Sequence, residues 1–255
     1  MIQEYVAVSL ASFAAAFVDS IAGGGGLVSV PILFAVFPTA PPATLFGTNK
    51  AAMVWGTGRA AWAYHRRLRL PWRSLAVGVV AALAGGFLGA FLVTVVAADW
   101  LRRILPFLLG AVFVFTLLNR DLGRTHAPRH APAVEAALIV AVSFALGVYD
   151  GFFGPGTGSF LIFLFVKLLG YDFLHAVGGA KVINTATNLA SLVLFAATGN
   201  VWWRFVLPMA LANLAGSVLG TRLALRHGTG LIRVVFAIVT GLLIVKTGYD
   251  AYVPR

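Results

Sequence analysis

Apolar residues run through this chain in blocks, separated by short polar or basic connections. The blocks lie near residues 5–18, 27–37, 44–63, 75–98, 104–118, 134–149, 157–170, 175–198, 205–221 and 231–248. Leu75–Ala98 alone is 24 residues without a charge, enough to cross ~30 Å of hydrocarbon as a helix. The pattern predicts an all-α integral membrane protein. Two of its segments are interrupted. Tyr5–Phe37 is 33 residues long. As one helix it would measure ~50 Å, too long for one crossing, and Gly23–Gly26 breaks it. The second interruption is "GFFGPGTGSF" at 151–160, with Asp150 at its mouth. Each segment is either one crossing with a loose break or a re-entrant hairpin whose two short arms meet near mid-membrane.

A shift of 131 residues, the spacing of Asp19 and Asp150, lays one half of the chain on the other without a gap. Gly23 falls on Gly154, Gly25 on Gly156, Gly47 on Gly178 and Lys50 on Lys181. Trp72-Arg73 falls on Trp203-Arg204, and Gly85 and Gly89 fall on Gly216 and Gly220. The chain has only four Lys and six Asp, so a pair of each at the same offset as a Trp-Arg dipeptide marks a duplication. The expected organisation is a first four-segment repeat at 1–118, a polar linker at 119–133 and a second repeat at 134–255, together one transmembrane domain. The paired Gly-x-x-x-Gly spacings suit close helix packing.

Basic residues bear on orientation, because Lys and Arg collect in cytoplasmic loops. With loop 64–73 inside, the hairpin reading also gathers Arg120, Arg124, Arg129, Lys167, Arg222, Arg226 and Arg233 there. Only Arg102, Arg103, Arg204 and Arg255 stay outside, with Lys246 near the outer end of its helix. Single crossings would move Lys167, Arg222, Arg226 and Arg233 across and weaken the bias. The distribution favours hairpins and inverted repeats over parallel ones.

Composition agrees: 60% of residues are hydrophobic and 11% charged, against about 25% charged in a soluble domain. The net charge of +11 sits in short loops, where it sets topology and meets anionic lipid rather than nucleic acid. Glu4 stands where a basic signal-peptide region would be, so no cleaved leader is expected. The absence of Cys excludes disulfides, iron–sulfur clusters and thiol catalysis.

Irregular backbone in a bilayer is tolerated where it is buried in protein or lines a water-filled cavity. Ionisable residues there are costly and usually functional. Asp19 and Asp150 are such residues, each beside a break. In transporters built from repeats, broken helices aim their free N-termini at anionic substrates. Here the second arms begin near Leu27 and Thr157. Gly23, Gly24, Gly25, Gly26, Gly154, Gly156 and Gly158 admit a ligand close to the backbone, and Thr157 and Ser159 add hydroxyls. "FGTNKAA" (46–52) brings Thr48, Asn49 and Lys50. "VGGAKVINTATN" (177–188) brings Lys181, Asn184 and Asn188 at i, i+3, i+7, one helical face. These groups suit a small oxyanion. The lysines could instead snorkel to headgroups, and the aspartates could neutralise them, cap the breaks or carry a coupling proton. Arg59 has no counterpart in the other half and points to the 65–69 cluster. Asn213 reads as a helix-joining hydrogen bonder.

Enzymatic readings fare worse. No Gly-Lys-Ser/Thr follows the Gly-rich runs. No His pair with metal-protease spacing lies in an apolar block. "YDGFFG" is similar to the Tyr-Asp of intramembrane aspartyl proteases, but their Gly-x-Gly-Asp partner is missing, since Asp19 follows Phe17-Val18. No enzyme, cofactor or metal is called for.

The duplicated plan, "DSIAGGGGLVSVP" (19–31), "GTNKAA" (47–52), "DGFFGPGTGSF" (150–160) and "AKVINTATN" (180–188) together resemble the TauE/SafE sulfite exporter family, the toluene sulfonate uptake permease group. The resemblance covers essentially the whole chain. It implies secondary transport of sulfite, organosulfonates or related small anions across a bacterial inner membrane. On matching positions it implies that the Gly-rich breaks and the Asn-Lys and Lys-x-x-Asn helices bind the anion. Half two departs from half one, with Gly-Ala-Lys in place of Thr-Asn-Lys. The expectation is an eight-segment secondary transporter, an exporter more readily than an importer, with the anion held near the midplane. Its partners would be a small anion and membrane lipid, with oligomerisation left open. An anion channel is the alternative, and an intramembrane enzyme a weaker one.

Overall fold

A computed structural model describes residues 2–118 and 125–227. The apolar block at 231–248 and part of the linker lie outside the described residues. Among these residues the chain forms α1 (Ile2–Ala22), α2 (Gly26–Val36), α3 (Pro42–His65), α4 (Trp72–Val95), α5 (Ala98–Leu118), α6 (Pro132–Phe152), α7 (Thr157–Leu164, continued by a π-helical turn Phe165–Leu169), α8 (Phe173–Ala197) and α9 (Trp203–His227). α1, α4, α6, α8 and α9 are long and apolar enough to cross a bilayer. α3 has the length, at 24 residues, but Thr48, Asn49, Lys50, Thr57 and Arg59 lower its apolarity.

Local signals set the boundaries. Pro42 and Pro132 open α3 and α6, where the missing N–H costs no hydrogen bond. Asp172 caps α8 by accepting from the His175 amide at 2.9 Å, satisfying one free donor of the first turn. Gly170, at φ +78°, ends the second arm in the left-handed conformation that stops helices.

The helices pack in the spatial order α6, α4, α8, α3, α9, α1. α3 and α8 lie antiparallel at the centre. Thr44 and Thr48, early in α3, hydrogen-bond to Asn200 and to the Trp202 amide beyond the end of α8. Tyr64, late in α3, lies over Gly178, early in α8. α1 and α2 form a hairpin whose two ends return to one place: the rings of Tyr5 and Phe37 lie 4.7 and 5.1 Å from that of Phe205. α6 and α7 form a second hairpin, closed at its ends by Ala127 N–H donating to Gly170 O at 2.9 Å. That closure lies at the other end of the α3–α8 pair. The hairpins therefore enter from opposite ends. Their arms are unequal, unlike the two short arms expected from the sequence. α1 and α6 have 21 residues each and α2 has 11.

The outer pairs pack backbone to backbone. A Cβ on Gly85 or Gly89 would strike the carbonyls of Phe144 and Val148 in α6, and one on Gly216 or Gly220 those of Phe13 and Phe17 in α1. In a bilayer such close approach substitutes for the missing hydrophobic drive. Gly89→Ala should therefore lower stability by about 1–3 kcal/mol through overpacking. Gly110→Ala, where nothing lies within 4 Å of the added carbon, should be neutral. Thermal melts of the detergent-solubilised variants check both.

Candidate functional site

The two hairpin tips meet inside the helix row. Gly23 and Gly24 have φ of +76° and +84°, and Gly154 and Gly156 have +90° and +85°, conformations that cost any other residue about 1–2 kcal/mol. The tips touch through backbone. A Cβ on Gly23 would meet the Gly158 carbonyl carbon, and one on Gly26 would fall 2.9 Å from Pro155 Cα. The first arms thus end, and the second arms begin, around one point. Apolar clusters lie to either side: Ile21, Tyr64, Leu75 and Phe165 in one, Leu27, Phe46, Leu109 and Phe195 in the other.

Four charges are buried at this junction and matched in pairs across the halves. Lys50 Nζ donates to Asp150 Oδ2 at 2.6 Å, and Lys181 Nζ donates to Asp19 Oδ2 at 2.7 Å. Lys50 is 4% exposed and Lys181 not at all, so neither snorkels to the surface. Each is the ninth residue of its helix, counting from Pro42 and Phe173, roughly 12 Å in from the N-terminus at 1.5 Å per residue. Because α3 and α8 are antiparallel, the lysines approach the middle from opposite ends. A buried charge without a partner is far more costly than a paired one, which explains why both carboxylates stand beside the breaks.

A small cavity separates the tips. It offers about 20 Å³ to the centre of a water-sized sphere, space for about one water. Its wall consists of Asp19, Gly24, Gly25, Gly26, Asn49, Lys50, Met53, Asp150, Gly154, Gly156, Thr157, Gly158, Asn184 and Asn188. Gly26 and Gly158 belong to the first turns of α2 and α7, where amides lack intrahelical acceptors. The Gly25 amide is taken by Asp19 Oδ1 at 3.3 Å. Asn184 Oδ1 accepts from Asn188 Nδ2 at 3.1 Å. Asn49 donates to Met53 Sδ at 3.5 Å, while its buried Oδ1 has no partner.

Six residues singled out in the sequence stand elsewhere. Gly23 is consumed by tip-to-tip packing. Thr48 donates to Thr44 O at 2.7 Å and accepts the Trp202 amide, so it joins α3 to the start of α9. Lys181 lies behind the wall, held by Asp19. Ser159 also stands off the wall and bonds Ala22 O at 3.2 Å. Arg59 stacks on Trp62, its guanidinium carbon 4.7 Å from the ring centre. Asn213 donates to Ser12 O at 3.1 Å, tying α9 to α1. Met53 is the wall residue that sequence reasoning passed over. Its spacing of four from Asn49 was the only signal, and a Met at such spacing is ordinarily core filler.

Paired charges, broken helices and polar side chains converging on a cavity inside a multi-pass helical bundle are the build of a membrane transporter. Residues 8–247 match the family model for sulfite exporter TauE/SafE, and the chain belongs to that family. It is 36% identical over 238 residues to probable membrane transporter protein YfcA of Escherichia coli strain K12, covering 93% of this chain and 87% of that one. It is 35% identical over 237 residues to probable membrane transporter protein ORF9 of Sinorhizobium sp, covering 93% and 89%. A probable membrane transporter protein of Haemophilus influenzae is 34% identical over 238 residues, covering 93% and 92%. No solved structure matches. The protein is therefore a multi-pass membrane transporter, and these relatives are named as transporters, not enzymes.

Proposed function

We propose that this chain is a secondary transporter, working as an exporter, that carries a small anion such as sulfite or an organosulfonate across the bacterial inner membrane. The observation that carries this reading is Lys50 at the wall of the tip cavity, held by an aspartate that an anion can replace. The two halves act as inverted repeats at 1–118 and 134–255. In support, α1 to α4 and α6 to α9 begin and end within three residues of the 131-residue offset. Equivalent helices α3 and α8 are antiparallel, and each lysine pairs with the other half's aspartate.

In the closed site Lys50 and Asp150 neutralise each other. Protonation of Asp150 removes the acceptor charge and leaves the ammonium free for an anion. The open amides of Gly26 and Gly158 and the Asn184 amide nitrogen complete its hydrogen bonds. One proton then accompanies one negative charge, so export is driven by the outward anion gradient, and the loaded site has the same net charge as the empty one. That equality matters in a low-dielectric interior, where an unmatched charge is expensive. The cavity takes about one water, so the site must open to admit cargo. Sulfite demands less opening than an organosulfonate, and a closed cavity speaks for a carrier rather than a channel.

Asp150→Asn tests the coupling. The variant should still bind anion through Lys50, and its flux in proteoliposomes should lose the wild-type dependence on an imposed pH gradient. Full pH-dependent flux in Asp150→Asn would show that the proton is carried elsewhere. A thermal-stability panel of sulfite, sulfate, thiosulfate, taurine, sulfoacetate, phosphate and acetate identifies the cargo class.

A further inference from the structure

Away from the tips, at the entry end of the second hairpin, three metal-ligating side chains converge that transport does not use. His126 comes from the linker, Asp172 caps α8, and His175 lies in the first turn of α8. Asp172 Oδ2 is 2.7 Å from His175 Nδ1 and 3.7 Å from His126 Nδ1. The two imidazoles stack with centroids 4.1 Å apart. One ligand atom from each residue lies within 4.8 Å of the others. We propose that His126, Asp172 and His175 bind a divalent transition-metal ion of the zinc class, which staples the interhalf linker to the second hairpin.

The distances fit such an ion. In a tetrahedral zinc site with bonds of ~2.0–2.2 Å, ligand atoms stand roughly 3.4 Å apart. The 2.7 and 3.7 Å separations bracket that value, so small side-chain rotations suffice. Two imidazoles and one carboxylate select zinc, cobalt or nickel over calcium and magnesium, which take oxygen ligands. All three groups are partly exposed, which gives an ion access and leaves a fourth position for water.

The framework holds the ligands without the ion. Asp172 Oδ1 is fixed by the His175 amide at 2.9 Å, leaving Oδ2 to face the imidazoles. The linker is pinned by Ala127 N–H to Gly170 O at 2.9 Å and Arg129 N–H to Leu169 O at 3.1 Å. His126 Nδ1 accepts the Asp172 amide at 3.4 Å, a long bond that it gives up when the same lone pair ligates. His175 must shift its Nδ1 proton to Nε2 when it ligates. The neutral imidazole is the ligating form.

Full-length protein purified on a tag without histidine, and stripped with chelator, is titrated with Co²⁺ followed by visible absorption and with Zn²⁺ followed by thermal melting. One tetrahedral Co²⁺ per chain is expected, with zinc raising the melting temperature. His126→Gln should weaken both at least about tenfold and disturbs no helix cap. His130→Gln, on the same linker, should bind as the wild type does. The proposal is overturned if the wild type shows no saturable binding, or if His126→Gln and His175→Gln both bind like wild type.

Discussion

Replacing Lys50 with methionine is expected to stop transport and to destabilise the protein together. The ammonium donates to Asp150 at 2.6 Å with both side chains nearly sealed from the surface. Its removal leaves a buried carboxylate without a cation, a change that costs about 3–5 kcal/mol. Loss of activity alone would therefore mean little. The informative variant is Lys50→Met with Asp150→Asn, which removes both charges. Replacing a whole buried pair is often close to neutral, so thermal melting should return most of the way to wild type. Transport should not return. Losing a hydrogen bond to a charged ligand weakens binding about ten- to a hundredfold. Recovered stability with lost flux separates a substrate-binding lysine from a structural one.

The second large effect distinguishes the two lysines. Lys181 forms the equivalent pair with Asp19 at 2.7 Å, but it stands behind the cavity wall. Lys181→Met should cost a comparable 3–5 kcal/mol, because Asp19 would be stranded. In Lys181→Met with Asp19→Asn, stability should recover and anion affinity should stay within about threefold of wild type, since no direct ligand contact is lost. The same affinity measured in both double variants compares the sites directly. Equal losses would make the lysines equivalent, as the proposed repeat alone implies.

The 131-residue offset was legible in the sequence, and the different surroundings of the residues it matches only partly so. Asp19, Asp150, Lys50 and Lys181 stood out because so few charges occur in apolar blocks. The offset predicts which residues correspond, yet no pattern along the chain says that each lysine reaches the other half's aspartate. That follows from the hairpins entering from opposite ends, a property of the fold. Thr48 and Asn49 were visible as departures from Gly179 and Ala180. Their separate fates were not, since Asn49 faces the cavity and Thr48 turns to Thr44 and Trp202. Met53 and Asn184 match at the 131-residue offset, and one lines the wall with a thioether, the other with an amide. The unequal arms were also hidden, because α1 and α6 run past the ends of their apolar blocks, to Ala22 and Phe152. The His126, Asp172 and His175 cluster had no signature along the chain: 46 residues separate the linker histidine from Asp172, and the backbone pairing of the linker with Leu169 and Gly170 brings them together.

The most direct test of the account is sulfite flux into proteoliposomes, measured for wild type and for Lys50→Met with Asp150→Asn at matched folded protein. Wild type is expected to show saturable flux that responds to a pH gradient, and the double variant flux at the level of empty liposomes. Undiminished flux in the double variant would contradict it, as would the absence of saturable wild-type flux for sulfite and every other anion in the panel.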